Sequence, residues 1–258
     1  MKSVMRKLLI YLLLGMVSIV WFSGCERYEI IQYGEEGQIN FMGKDKYGWT
    51  DDTAYLHYDR NFAINSQGDS LLVDTVSIGV KISGTMKDYV RKVMFNVEHP
   101  GEYALEVMFP EEYYVDADTG TAVFTIFLKR PVKQGKVYTA ELIFDYDGSD
   151  FEAGTWERQV FRLSAQDSVS LELWGTTEEE WADYYKDHLG DYSATKVRYL
   201  ITKYHKTSIE EWSGSTQYAE LRKQNAFYLD YEAYRATPGY VPLLDEKTGR
   251  EIEFPNLN

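Results

Sequence analysis

The chain has 258 residues, 44% of them hydrophobic and 16% aromatic, with a formal net charge of −14. Charged residues at 26% beside that apolar content exclude a disordered or fibrous chain. The acidic excess speaks against nucleic acid as a partner, because a phosphate backbone is bound by Lys and Arg that release its counterions.

Lys2, Arg6 and Lys7 give a basic start, residues 8–22 an apolar run of 15, and Phe22-Ser23-Gly24-Cys25 a small-residue end, the three parts of a secretory signal. A membrane-crossing helix needs roughly 20 apolar residues, so this run is short for a permanent anchor. Residues 22–25 resemble the lipobox of bacterial lipoproteins, with Phe22 where Leu is usual. That resemblance implies that residues 1–24 are a lipoprotein signal peptide, that Cys25 carries the lipid anchor, and that residues 25–35 form a tether. Each buried acyl methylene contributes about 0.8 kcal/mol, so two or three chains hold durably where one holds marginally. Glu26, not Asp, follows the cysteine, which points to the outer membrane, on either the cell-surface or the periplasmic face. The remaining 234 residues hold all 41 acidic residues and 24 of the 27 basic ones, a balance of −17. Cys25 is the sole cysteine, so once it carries lipid the mature chain has no thiol and no possible disulfide.

From residue 36 to 174 apolar and polar residues alternate with period 2. Val76, Ile78, Val80 and Ile82 show it, as do Val93, Phe95 and Val97, then Ala122 to Leu128, Tyr138 to Tyr146, and Gln159 to Leu163. Gly-containing breaks such as Ser83-Gly84, Pro100-Gly101 and Lys133-Gln134-Gly135 separate them. Evenly spaced strands without interleaved helices predict an immunoglobulin-like antiparallel β-sandwich over 36–174. Residues 175–258 read as a mostly helical domain, giving an α+β, mainly β chain. Thr176 and Glu179 form the pattern of a capping box, and Trp181, Tyr184, Tyr185 and His188 recur at helical spacing until Gly190. Residues 193–204 fit a helix capped by Ser193 or a strand, since Val197, Tyr199 and Ile201 keep period 2 while Val197, Leu200, Ile201 and Tyr204 keep 3.6. Tyr218 to Arg235 predicts one longer helix ended by Thr237-Pro238-Gly239, and residues 243–254 a closing hairpin.

Gly37-Gln38-Ile39-Asn40-Phe41, Asp74-Thr75-Val76-Ser77-Ile78, Leu128-Lys129-Arg130, Leu189 to Lys196 and the Asp245 to Gly249 turn follow the lipobox in order. In this layout the chain resembles an uncharacterised, domain-of-unknown-function lipoprotein family of glycan-foraging gut bacteria. The resemblance implies a partner of starch-utilisation-like uptake systems, in which surface lipoproteins capture glycan for an outer-membrane transporter. It implies no particular activity, because the family has none assigned.

The residues themselves offer little chemistry. Gly214-Ser215 lacks the second glycine of a nucleophile elbow, and His57, His99, His188 and His205 share no zinc-binding spacing. Asp145 to Asp150 invites a calcium reading, yet Gly148 stands fourth instead of sixth and Trp156 occupies position twelve, so a solvated turn is expected. Glu111-Glu112 and Asp116/Asp118 are carboxylate pairs of the kind glycoside hydrolysis uses, but near neighbours are common in so acidic a chain. No cofactor and no metal are expected. Tyr47 and Trp49, isolated among polar residues 44–52, are the candidate ligand-binding rings, since sugar faces stack on aromatics. A loop anchor is the plainer role for the same rings. The expected function is non-catalytic capture of a neutral glycan or nutrient, with an outer-membrane transporter or other surface lipoproteins as partners. A structural or adhesive surface protein that holds another envelope protein is the alternative, and a glycan-active enzyme the third.

Overall fold

Strand propensity and alternation produce twelve strands among the described residues of the computed structural model, which are 37–257 without 111 and 214. The signal, Cys25 and the tether lie outside them. One sheet has six strands. Its path runs β11 (Glu152–Ala153), β1 (Gln38–Asp45), β4 (Val73–Ser83), β9 (Thr121–Lys129), β7 (Val107–Met108), with β2 (Gly48–Thr50) paired to β1. A second sheet orders β3 (His57–Asn61), β12 (Val160–Gln166), β10 (Val137–Phe144), β6 (Phe95–Glu98). β5 (Arg91–Val93) and β8 (Tyr113–Val115) pair separately. The protein is therefore mainly β, with its helices mostly in the C-terminal half.

Period 2 dictates which side chains turn inward. Val76, Ile78, Val80 and Ile82 of β4, Phe124, Ile126 and Leu128 of β9, and Ile39 and Phe41 of β1 are buried. They share one core with Phe95, Leu142, Phe144, Phe161 and Leu163 of the four-stranded sheet. Phe41 stacks on Phe144 with centroids 4.1 Å apart, and each such ring contributes about 1.5–3 kcal/mol by leaving water. Pairing direction departs from the expectation of a wholly antiparallel arrangement. β1 with β11 and β3 with β12 run parallel. Alternation reports which face a residue takes but not the direction of its neighbour, because both pairings share period 2.

The helical part begins before residue 175. Ser170 caps the turn Leu171–Trp174 by accepting from Leu173 N, and Gly175, at φ +86°, closes it. The capping box is Thr177 with Glu180, not Thr176 with Glu179. Thr176 is drawn back to finish the preceding turn, its N–H donating to Leu171 O at 2.9 Å. Trp181, Tyr185 and Leu189 then face inward at intervals of four, whereas Tyr184 stays 66% exposed. Ser193 settles the next segment as the helix Ala194–Tyr204, accepting from Lys196 N. Glu246 reaches the same N-terminus and accepts from Ala194 N at 2.7 Å. The expected single helix after residue 217 is two, Thr216–Lys223 and Ala226–Arg235. Asn225 breaks it at φ +53°, a left-handed conformation that Asn tolerates. Its Oδ1 accepts from Leu257 N and its Nδ2 donates to Asn256, so the C-terminal segment holds the break. Leu244 and Glu251 form a single antiparallel bridge that closes the last hairpin.

All described residues belong to one compact unit. A second core of Trp174, Trp181, Leu189, Val197, Ile201, Trp212, Phe227 and Phe254 also takes in Ala63 and Val169. Asp167, 5% exposed, stands between the cores. It accepts from Arg130 Nε at 2.9 Å and pairs with Arg198, while Asp69 accepts from both guanidinium groups. Burial alone would push the Asp167 carboxyl up, but the hydrogen bonds from Arg130 and Arg198 outweigh it and hold the carboxyl below its usual range.

Candidate ligand platform on the six-stranded sheet

Asp45 shapes the hairpin between β1 and β2, its Oδ1 accepting from Tyr47 N at 2.7 Å and Gly48 N at 2.9 Å. Register then sets Trp49 opposite Lys44, with its ring over the outward face of the neighbouring strand β4. There it meets Gly79. A Cβ added to Gly79 would lie 2.4 Å from Trp49 Cε3, 2.7 Å from Cζ3 and 2.8 Å from Cδ2, so the six-membered ring rests directly on the glycine. Gly79 is buried although it points outward, and Trp49 keeps part of its surface in solvent. Met42 and Val123 flank Gly79 in the strands on either side, and Ser77 and Thr125 face each other two residues on.

Charge gathers beside this platform. Lys44 Nζ stands 5.3 Å from the Trp49 ring centroid. Asp51 takes a hydrogen bond from Lys81 and another from Arg158 Nη2 at 2.8 Å, and the Lys81 bond, with Arg158 behind it, holds the Asp51 carboxyl below its usual range. Arg158 also donates to Phe41 O at 2.8 Å, which ties these charges to β1. Tyr47, at the hairpin tip, is 85% exposed, with Lys46 Nζ 4.9 Å from its ring. A half-covered indole with hydroxyls and a charge pair around it can stack one face of a ring and donate or accept at its rim.

The other sequence-marked residues are not brought to this site. Cys25, Glu111 and Gly214 lie outside the described residues. Glu112 is engaged by Lys92 at 2.8 Å and by Tyr114, and Asp118 takes a left-handed turn position at φ +56°. Asp145 Oδ1 accepts from Asp147 N, Ser149 Oγ from Met94 N, and Asp150 Oδ2 from Lys92 N, so the oxygens of 145–150 serve their own turn and the adjacent strands. His57, His99 and His205 are exposed, and His188 is half-buried, with burial pushing its imidazole pKa down. Among the described residues no three of His, Asp and Glu gather in a metal-holding group.

Two features escaped sequence reasoning. Gly79 carried a signal, since a glycine inside an apolar strand marks a close approach by another group. Lys196 carried none. It is 4% exposed and lines a cavity of about 470 Å³ with Tyr192, Asp245, Glu253 and Phe254.

No protein-family model and no curated sequence matches the chain. Among solved structures, the apo form of the Calx CBD1 domain aligns over 98% of its length with 52% of this chain, at 8% identity and TM-score 0.31. EndoBT-3987 of Bacteroides thetaiotamicron with a Man5GlcNAc product aligns over 29% of its length with 45% of this chain, at 13% identity and TM-score 0.32. The CsuC-CsuE chaperone-tip adhesion subunit pre-assembly complex of Acinetobacter baumannii aligns over 65% and 53%, at 12% identity and TM-score 0.24. Likenesses this remote bear on neither fold nor function.

Proposed function

We propose that the protein is a lipid-anchored outer-membrane accessory that captures neutral glycan for an uptake system without acting on it chemically. The observation that carries this reading is Trp49, laid flat on Gly79 with part of its ring in solvent. A glycine at this position leaves room for the indole to lie on the sheet, and a ring already held flat loses little freedom when a sugar stacks on it. The mature charge of −17 favours neutral oligosaccharides over sulfated or uronic ones, which it would repel. The finer architecture of the first core, shared by two sheets, supports an immunoglobulin-like sandwich that carries the platform on an outer face. Anchoring through Cys25 and the family of uptake lipoproteins rest on the sequence pattern.

Trp49→Ala is expected to weaken retention of neutral oligosaccharides in affinity electrophoresis by roughly fivefold, from a stacking contribution of about 1 kcal/mol. Unchanged retention in a folded variant removes the platform reading. Wild-type protein that retains no glycan and copurifies with another envelope protein supports the adhesive alternative instead. Cys25→Ala is expected to move the protein out of the membrane fraction; a variant that still pellets with outer membranes after a high-salt wash refutes the anchor.

A further inference from the structure

Lys196 sits in the first turn of the helix Ala194–Tyr204, and its Nζ donates to two backbone carbonyls, Leu189 O and Asp191 O, each at 2.7 Å. Leu189 ends the helix Lys186–Leu189, whose last carbonyls lack intrahelical partners. Gly190 makes the wrapping possible. Its φ is +74°, and a Cβ there would stand 3.1 Å from Lys196 Nζ. The Phe254 ring centroid lies 5.3 Å from the same nitrogen. Among the described residues no carboxylate forms an ion pair with Lys196. Asp191, Asp245 and Glu253 act on it only through space, and the Asp191 carboxylate is held by Lys186 at 2.8 Å.

The two carbonyls take two of the three ammonium hydrogens. When the group is neutral, its two N–H bonds can remain on the two carbonyls. The lone pair then takes the remaining tetrahedral direction, on a side chain that lines the cavity. A neutral amine in that pose is a positioned nucleophile.

We propose that Lys196 is a carbonyl-reactive amine that condenses with a small hydroxyaldehyde or the open-chain form of a sugar admitted to this cavity. The nitrogen lone pair adds to the aldehyde carbon, and the carbonyl oxygen takes a proton to give a carbinolamine. Loss of that hydroxyl with the remaining nitrogen proton, as water, leaves an imine. The condensation needs no oxidant or reductant. Tyr192 and Glu253 share the cavity wall and are the candidate relays for those protons, whereas Asp245 Oδ1 is taken by Lys247 N and Thr248. Burial, only partly offset by Asp191, Asp245 and Glu253, lowers the Lys196 ammonium to about 8. A lysine in a short peptide titrates at ~10.4, so this lowering gives Lys196 a larger neutral fraction at physiological pH than an unperturbed lysine. This inference stands apart from the platform at Trp49 and does not depend on it.

The test treats the folded protein with glycolaldehyde and cyanoborohydride, which reduces the imine to a stable alkylated lysine, and maps the adduct by peptide mass spectrometry. Lys247, exposed at the rim of the same cavity, is the internal reference. Near neutral pH, Lys196 is expected to be alkylated at least about tenfold faster than Lys247, since burial brings its ammonium down to about 8. Its rate is expected to rise with a midpoint near pH 8. Labelling no faster than that of Lys247, or labelling only after unfolding, overturns the proposal and leaves Lys196 a helix-capping cation. Lys196→Arg keeps donors for both carbonyls; a folded variant with undiminished fast labelling places the reactive amine elsewhere and overturns it equally.

Discussion

Arg91 is 1% exposed, and none of its three guanidinium nitrogens finds a hydrogen-bond acceptor among the described residues. Its guanidinium lies 4.6 Å from the Phe151 ring centroid, and that cation–π contact is the compensation visible. A cation–π pair is worth about 2 kcal/mol when desolvated, less than the desolvation of a charge usually costs. Replacement by an apolar side chain of similar volume should therefore be tolerated. Arg91→Met is expected to unfold at the same temperature as wild type or higher in a thermal melt. A clear fall in the midpoint would overturn the view that the buried guanidinium is under-compensated.

At the scale of elements, one strand and one helix show how context overrides pattern. β4 looks like a regular alternating strand, yet Gly79 at its middle is where β2 lays Trp49 across the sheet. Gly79→Ala puts a methyl 2.4 Å from the ring, a distance that atoms do not keep, so the indole has to lift. The variant is expected to lose glycan retention as Trp49→Ala does while keeping the tryptophan, and to show altered indole fluorescence. Retention at the wild-type level would mean that the flat pose of Trp49 is irrelevant to binding. The segment 193–204 was undecided by periodicity because its apolar residues satisfy both 2 and 3.6. A cap decided it, with Ser193 and Glu246 satisfying the N–H groups that only a helix exposes.

At the scale of the molecule, the charge cluster of Asp69, Arg130, Asp167 and Arg198 links the two cores. Gly68 brings its loop so near the helix Ala194–Tyr204 that a Cβ there would lie 2.5 Å from Thr202 Cα. Removing one member of a buried cluster leaves the others uncompensated, at about 3–5 kcal/mol. Asp167→Ala is expected to cost that much in denaturant unfolding and to turn a single transition into two, with new proteolysis near Gly175 or Gly190. If the variant unfolds in one transition with unchanged midpoint, the cores are held together by apolar contacts alone. The sign of the pH effect follows from the lowered carboxyl: its contribution is complete above the usual Asp range and is lost as pH falls through the folded value.

Alternation in Val76 to Ile82 and in Ala122 to Leu128 was enough to say which side chains are buried, because a strand offers only two faces. The turn at Asp145 and the helix stop at Gly190 were legible for a similar reason, since each depends on a residue's own backbone freedom or its reach to a nearby N–H. Parallel pairing of β1 with β11, the break at Asn225, the pairing of Asp167 with Arg130 and Arg198, and the covering of Gly79 by Trp49 depend on residues tens of positions apart or on cross-strand register. No local pattern encodes those distances. Lys196 is the extreme case: its burial, its two carbonyl partners and its cavity arise only when Leu189, Asp191 and Phe254 close around it, and desolvation in that enclosure is what lowers its ammonium.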